Sequence, residues 1–243
     1  MERKKYLIVF LLMLISNLSV ATERQQIYNA FISGNMARWR MVIDAMHNQR
    51  PLSNSRMLEL VNYQYGFVAW AIGSSNLNLA RVYIEKAEEI LDALENNNFS
   101  LSRVYAYKSA FYGFRIGLNR ARAPFLGPRS MDYARRSIST NPNEPSGYIQ
   151  YANAMYYMPP IFGGSKSVAL ENYQRAIALM ERNSDALKND WNYINLLTTV
   201  ANIYKEMGDY DAAKSYYQKI LNIEPNFVWV KEQLYPELLN RMR

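Results

Sequence analysis

The chain has 243 residues, of which 49% are apolar and 20% charged, with 20 tyrosines against ten glycines. That balance excludes a disordered chain, and the length suits one elongated helical array or one ordinary domain. The formal charge is +7, and a single histidine (His47) with no cysteine excludes His-x-x-x-His zinc pairs, disulfides and thiolate chemistry.

Arg3-Lys4-Lys5, the apolar run Leu7 to Ile15 and the small residues Ser19-Val20-Ala21 predict a secretory signal over residues 1–21. The run is about half of the ~20 residues a bilayer-spanning helix needs, so cleavage near Thr22 is expected over a retained anchor. The expected product is an exported, periplasmic or secreted domain over residues 22–243. It is not a lipoprotein, because there is no cysteine to carry the lipid.

From there the apolar residues recur at helical spacing, and no strand-length alternation occurs. Ile27, Tyr28, Phe31 and Ile32 form one face, Gly34 turns the chain, and Trp39, Val42, Ile43 and Met46 form the next. Met57 to Ile72 and Ala80 to Leu91 make a second pair around Gly73-Ser74-Ser75. The third has a long first helix, Val104 to Leu118, with Gly113 and Gly117 forming a close-approach face. Pro124-Phe125-Leu126-Gly127-Pro128 is read as its turn, and Ser130 to Ser139 as its return helix. The fourth pairs Tyr148–Tyr157 with Lys166–Glu181 across Pro159-Pro160-Ile161-Phe162-Gly163-Gly164. In that turn Ser165 is expected to cap the next helix and Ile161 and Phe162 to tuck into the core.

The fifth pair is the most regular. Ala201 and Ala213 let its helices approach, Tyr204 and Tyr217 fill the space between, Gly208 turns the chain, Asp209 caps and Pro225 stops it. These intervals over residues 194–227 resemble the tetratricopeptide repeat (TPR), a unit of two antiparallel helices. The expected fold is all-α: a right-handed solenoid of about five TPR-like pairs, closed by a helix from Val228 to Met242 that contains Pro236.

The sequence from Met155 through Pro236 as a whole is similar to a group of exported bacterial tetratricopeptide-repeat proteins, and three segments carry the likeness. They are Pro160-Ile161-Phe162-Gly163-Gly164-Ser165, Asp190-Trp191-Asn192-Tyr193 and Glu224-Pro225-Asn226-Phe227. The Pro…Gly-Gly turn also resembles one in the T-component of TRAP-type periplasmic uptake systems, although that component usually carries a lipid-bearing cysteine. Neither resemblance implies catalytic residues.

Residues 163–167, Gly-Gly-Ser-Lys-Ser, lack the order and preceding strand of a phosphate-binding loop. The acidic residues Glu85, Glu88, Glu89 and Asp92 are interleaved with Arg81 and Lys86 and read as a solvated helix face. Basicity is local. Without residues 1–21 the chain carries 25 basic and 20 acidic residues; the segment 96–143 alone holds eight basic residues and one acidic, Asp132. On its first helix Tyr105, Lys108, Tyr112, Arg115, Asn119 and Arg122 follow steps of three and four. That stripe either grips carboxylates or phosphates, or is a solvated face whose arginine stems cover apolar surface.

In TPR arrays the first helix of each pair lines a concave surface. Placing the repeats in register puts Asn195, Thr198, Asn202 and Lys205 there, with Asn153 and Tyr156 from the fourth pair and Asn62 and Tyr65 from the second. An asparagine at such a position resembles those that hold a ligand's backbone. The expectation is a non-catalytic scaffold without cofactor or metal, holding a protein or peptide partner in its groove, an acidic one suiting the stripe. The alternative is a periplasmic accessory protein that captures a small anionic ligand for transport. Nucleic acid does not suit an exported chain.

Overall fold

Small polar residues start six of the α-helices and glycines follow two of them. The side chains of Thr22, Asn35, Ser53, Ser165, Asp190 and Asp209 each accept a first-turn amide, and Gly34 (φ 70°) and Gly208 (φ 83°) take the left-handed conformation after two helices. The computed structural model describes residues 22–49 and 51–243; the expected signal segment lies outside them. Five antiparallel pairs follow one another: α1 (Glu23–Ser33) with α2 (Met36–Asn48), α3 (Asn54–Gly73) with α4 (Leu77–Asn96), α5 (Leu101–Leu118) with α6 (Ala123–Thr140), α7 (Pro145–Tyr157) with α8 (Lys166–Met180), and α9 (Trp191–Met207) with α10 (Tyr210–Ile223). A π-helical turn, Val230–Leu234, leads into α11 (Tyr235–Arg241). The described residues contain no strand.

Small residues set the spacing within pairs, as expected. Ala80, Ala169, Ala201 and Ala213 are fully buried. In the third pair serines take that role. Ser109 and Ser130 each donate a hydroxyl to the other's carbonyl (2.7 and 2.8 Å), and Ser102 donates to the Ser137 carbonyl. The hydroxyls satisfy themselves across a close α5–α6 contact instead of remaining unpaired in the core.

Three expectations need correction. Residues 124–128 are not a turn: α6 begins at Ala123 and runs through both prolines. Pro124 sits in the first turn, where its missing N–H would have had no intrahelical partner, and the bond lost at Pro128 frees only the first-turn carbonyl of Pro124. Gly113 makes no close approach; a Cβ there would meet nothing, whereas one at Gly117 would lie 3.5 Å from Ile72. Ile161 and Phe162 do not tuck inward but stand exposed. Gly164 and Ser165 fold back on the end of α7, where the Ser165 amide donates to the Met155 carbonyl. A Cβ on Gly164 would collide with the Met158 carbonyl, so the turn's apex, with both apolar side chains, is directed outward.

The C-terminal helix forms as expected. Its π turn and the placing of Pro236 at the start of α11 accommodate the missing amide, while Val230 and Leu238 bury against the fifth pair.

The array curls tightly enough to meet itself. Arg24 of α1 donates to the carbonyls of Ala186 and Asn189 and lies 3.7 Å from Asp190, while the Tyr28 hydroxyl donates to Glu224 at 3.1 Å. Phe31 packs on Trp191 and Phe227, with ring centroids 5.8 and 5.1 Å apart. Trp39 meets Trp191 edge-on at 4.9 Å. A Cβ on Gly66 of α3 would lie 2.6 Å from Trp191 and 2.7 Å from Trp39, so only glycine lets the backbone pass this pair of indoles.

Candidate functional site

Most of the residues expected to line a groove are engaged by other side chains of the array. Asn153 of α7 accepts the Tyr173 hydroxyl at 2.5 Å and donates to the Gln150 side-chain oxygen at 2.9 Å and to the Tyr65 hydroxyl at 3.3 Å. Asn62 of α3 accepts from the Tyr107 hydroxyl and from Asn192, both at 3.0 Å. Asn202 accepts the Tyr217 hydroxyl at 2.6 Å. Burial pushes the hydroxyls of Tyr65, Tyr107 and Tyr173 above the ordinary phenol range, so all three stay protonated at any physiological pH.

Around this network Trp191, Trp39, Phe31 and Phe227 fill the middle of the curl. The indole N–H of Trp191 has no partner there, and neither has the Nε–H of Arg103. Tyr156 donates to Glu206 at 2.7 Å, Lys205 reaches Glu237 at 3.4 Å, and Thr198 is buried with its hydroxyl on the Ile194 carbonyl. Of the expected groove residues, half-buried Asn195 has a side chain that makes no hydrogen bond among the described residues. Asn153 and Asn202 both lie half-buried on the first helix of a pair, each with its acceptor taken by a tyrosine of the helix that follows.

The basic stripe on α5 is also engaged, by the acidic face of α4. Lys108 is held by Asp92 (2.6 Å) and Glu95, leaving its side chain only 14% exposed. Burial acts to lower its ammonium pKa, but the hydrogen bonds to the two carboxylates outweigh it and hold the pKa up. Arg115 makes a two-pronged contact with Glu88 through Nε (2.6 Å) and an amino nitrogen. Part of the solvated acidic face expected on α4 is therefore the counter-charge of the stripe.

What remains free lies on the turn before α6 and on α6 itself. Arg120, Arg122, Arg129, Arg135 and Arg136 are exposed, and none has a carboxylate within 4.0 Å among the described residues. Tyr133 of α6 stacks on Tyr112 (5.6 Å, 18°) and tilts against Tyr105 (5.8 Å). The Arg136 guanidinium lies over the Tyr105 ring at 4.2 Å and the Tyr133 ring at 5.0 Å. Tyr112, Pro128, Arg129, Asp132, Tyr133 and Arg136 line an open cleft of about 390 Å³.

This outer face joins Tyr105 and Tyr112 of the predicted stripe to α6 residues that the sequence reading did not single out. A signal was present: Arg129, Asp132, Tyr133 and Arg136 follow helical steps of three and four. Reading Pro124 to Pro128 as a turn concealed how far that helix extends.

Residues 194–227, the fifth pair, match the family model of the tetratricopeptide repeat. The wider array is similar to solved structures. One is the HusA haemophore of Porphyromonas gingivalis, with a TM-score of 0.58 at 18% identity over 78% of this chain and 96% of that one. Another is a thermophilic TPR protein of Thermus thermophilus, with a TM-score of 0.57 at 16% identity over 89% and 99%. No curated protein matches the chain by sequence. At these identities the structural likeness concerns the fold alone. The chain is an all-α solenoid of the TPR type, and its fifth helix pair is the repeat that the family model matches.

Proposed function

We propose that this protein is an exported, non-catalytic scaffold that holds a protein partner through the outer tyrosine–arginine face of its third helix pair. The observation that carries the reading is the ladder of Tyr105, Tyr133 and Tyr112 with Arg136 laid across it and Arg129 at its rim. Stacked tyrosines present rigid amphipathic area at little entropic cost, and unpaired guanidiniums favour carboxylates and aromatic rings. An acidic partner with aromatic or other apolar side chains suits that chemistry. The cleft is open along the surface, which favours a partner's chain over an enclosed small anion of the kind a transport accessory protein would capture. Export rests on the charge and hydropathy pattern of residues 1–21.

Panning the purified chain against a displayed random-peptide library should enrich Asp/Glu together with aromatic residues. The double variant Arg129→Glu/Arg136→Glu should lose that enrichment while its helical circular dichroism is retained. Enrichment of unrelated sequences, or the same enrichment in the variant, would contradict the reading. Export is checked separately: in bacterial cells the chain should be recovered outside the cytoplasm and shortened by about the expected signal.

A further inference from the structure

The two edges of the array differ in kind. Successive first helices run parallel: Tyr107 of α5 meets Asn62 of α3, the Gly117 position meets Ile72, and Tyr156 of α7 meets Glu206 of α9. Their C-terminal ends, and the turns that follow them, therefore share one edge. The opposite edge carries the connections between pairs and is rich in asparagine, with Asn96, Asn97 and Asn98, then Asn141 and Asn143, then Asn183 and Asn189.

The four most exposed large apolar side chains among the described residues all lie on the first edge: Ile161 (83%), Tyr157 (78%), Phe125 (77%) and Phe162 (70%). Phe125 stands on the first turn of α6, Tyr157 ends α7, and Ile161 and Phe162 sit on the α7–α8 turn, so two adjacent pairs contribute. The α7–α8 turn holds its apex by backbone bonds from Phe162 and Gly164 to Pro159, from Gly163 to Pro160 and from Ser165 to Met155, so its apolar tip is presented in a fixed shape. On the neighbouring pair, Arg120, Arg122 and Arg129 stand exposed, none with a carboxylate within 4.0 Å among the described residues. Of the carboxylates at this edge, Glu206 is engaged by Lys166 and Tyr156 and Asp209 caps α10, while Asp211 in the first turn of α10 is exposed.

We propose that this edge docks on an anionic bilayer surface, the tips of the third and fourth pairs entering the headgroup region while Arg120, Arg122 and Arg129 pair with lipid phosphates. Charge complementarity and shape both point to lipid. Protruding apolar tips have no concavity of their own to clasp a partner, whereas a headgroup layer yields to them. Arginines beside such tips can keep their charge among phosphates while their stems contact apolar surface. The attachment is peripheral, since no helix among the described residues is long and apolar enough to cross a membrane. This surface is distinct from the tyrosine–arginine cleft, sharing only Arg129 with it.

The absence of native cysteine allows a site-specific test in the full chain. Ile161→Cys and, at the opposite edge, Asn143→Cys are each labelled with a polarity-sensitive fluorophore. They are then mixed with phosphatidylcholine vesicles with or without phosphatidylglycerol. The account predicts a blue shift at position 161 with the anionic vesicles and none at 143, whatever residues 1–21 do. Arg120→Glu/Arg122→Glu in the same labelled chain should weaken vesicle binding about tenfold or more, since each basic residue near an anionic surface contributes about fivefold. No shift at 161, equal shifts at both positions, or equal shifts with neutral and anionic vesicles would overturn the proposal. So would a shift unchanged by the charge reversal. If the edge instead serves a protein, position 161 stays silent with both vesicle types.

Discussion

Asn153 offers a donor pair and an acceptor, and in this protein Tyr65, Gln150 and Tyr173 occupy them. Its position on the first helix of a pair was legible in the sequence. Its partners were not, because Tyr65 lies 88 residues away and only the curl brings the two together. Asn153→Ala should leave the buried Tyr173 and Tyr65 hydroxyls short of partners and cost about 1–3 kcal/mol in urea unfolding, with little loss of helicity. A change within experimental error would mean that this asparagine is free for a ligand after all. Gly66→Ala should cost at least a similar amount, about 1–3 kcal/mol by thermal or urea unfolding, since the added methyl overlaps two indoles that have little room to shift. A neutral outcome would contradict the close passage of α3 beside Trp39 and Trp191.

At the level of helices, charge that looked like a binding stripe holds α5 to α4. The sequence showed the cations on one face of α5 and the acids on α4, but a one-dimensional pattern does not say that the two faces meet. Lys108→Glu and Arg115→Glu should therefore destabilise the fold instead of leaving it unchanged, by about 1 kcal/mol each for these partly exposed pairs. Unaltered thermal unfolding would return both cations to the pool of free charge. The fifth pair bears on pH. At Glu181 burial pushes the carboxyl pKa up, but hydrogen bonds from Lys219 and Tyr193 outweigh it; at Glu206 Lys166 and Tyr156 do the same. Both titrate below the ordinary 4.5. A carboxyl held lower in the folded state favours folding above pH 4.5, and that contribution disappears as pH falls through the lowered value. The Tm gap between the native chain and Glu181→Gln/Glu206→Gln should thus be widest near neutrality and close as pH falls below 4.5 through the lowered values. Asp190, raised by burial against the lowering effect of Arg24 and its capped amides, runs the opposite way but is common to both proteins and cancels. A gap constant with pH would contradict these contacts.

For the molecule as a whole, five pairs and a closing helix were readable because helical periodicity, caps and small residues are local signals. Curvature was not, because it arises from small rotations between pairs that no single segment encodes. Here it brings α1 against the fifth pair and fills with aromatic rings the groove that an open array would offer. The contacts proposed for this protein accordingly fall on the outer tyrosine–arginine face and the apolar turn edge. Closure should also make unfolding more cooperative than nearest-neighbour stacking alone would, because the two ends support each other.

Hydrogen exchange of the Phe31→Ala variant tests that closure most directly. Phe31 touches Trp39 nearby and Trp191 and Phe227 across the seam. If the ends are joined, amides of Trp191–Met207 should exchange faster in the variant than in the native chain, together with those of Glu23–Asn48. Faster exchange confined to Glu23–Asn48, with the fifth pair unchanged, would show an open array and contradict the account.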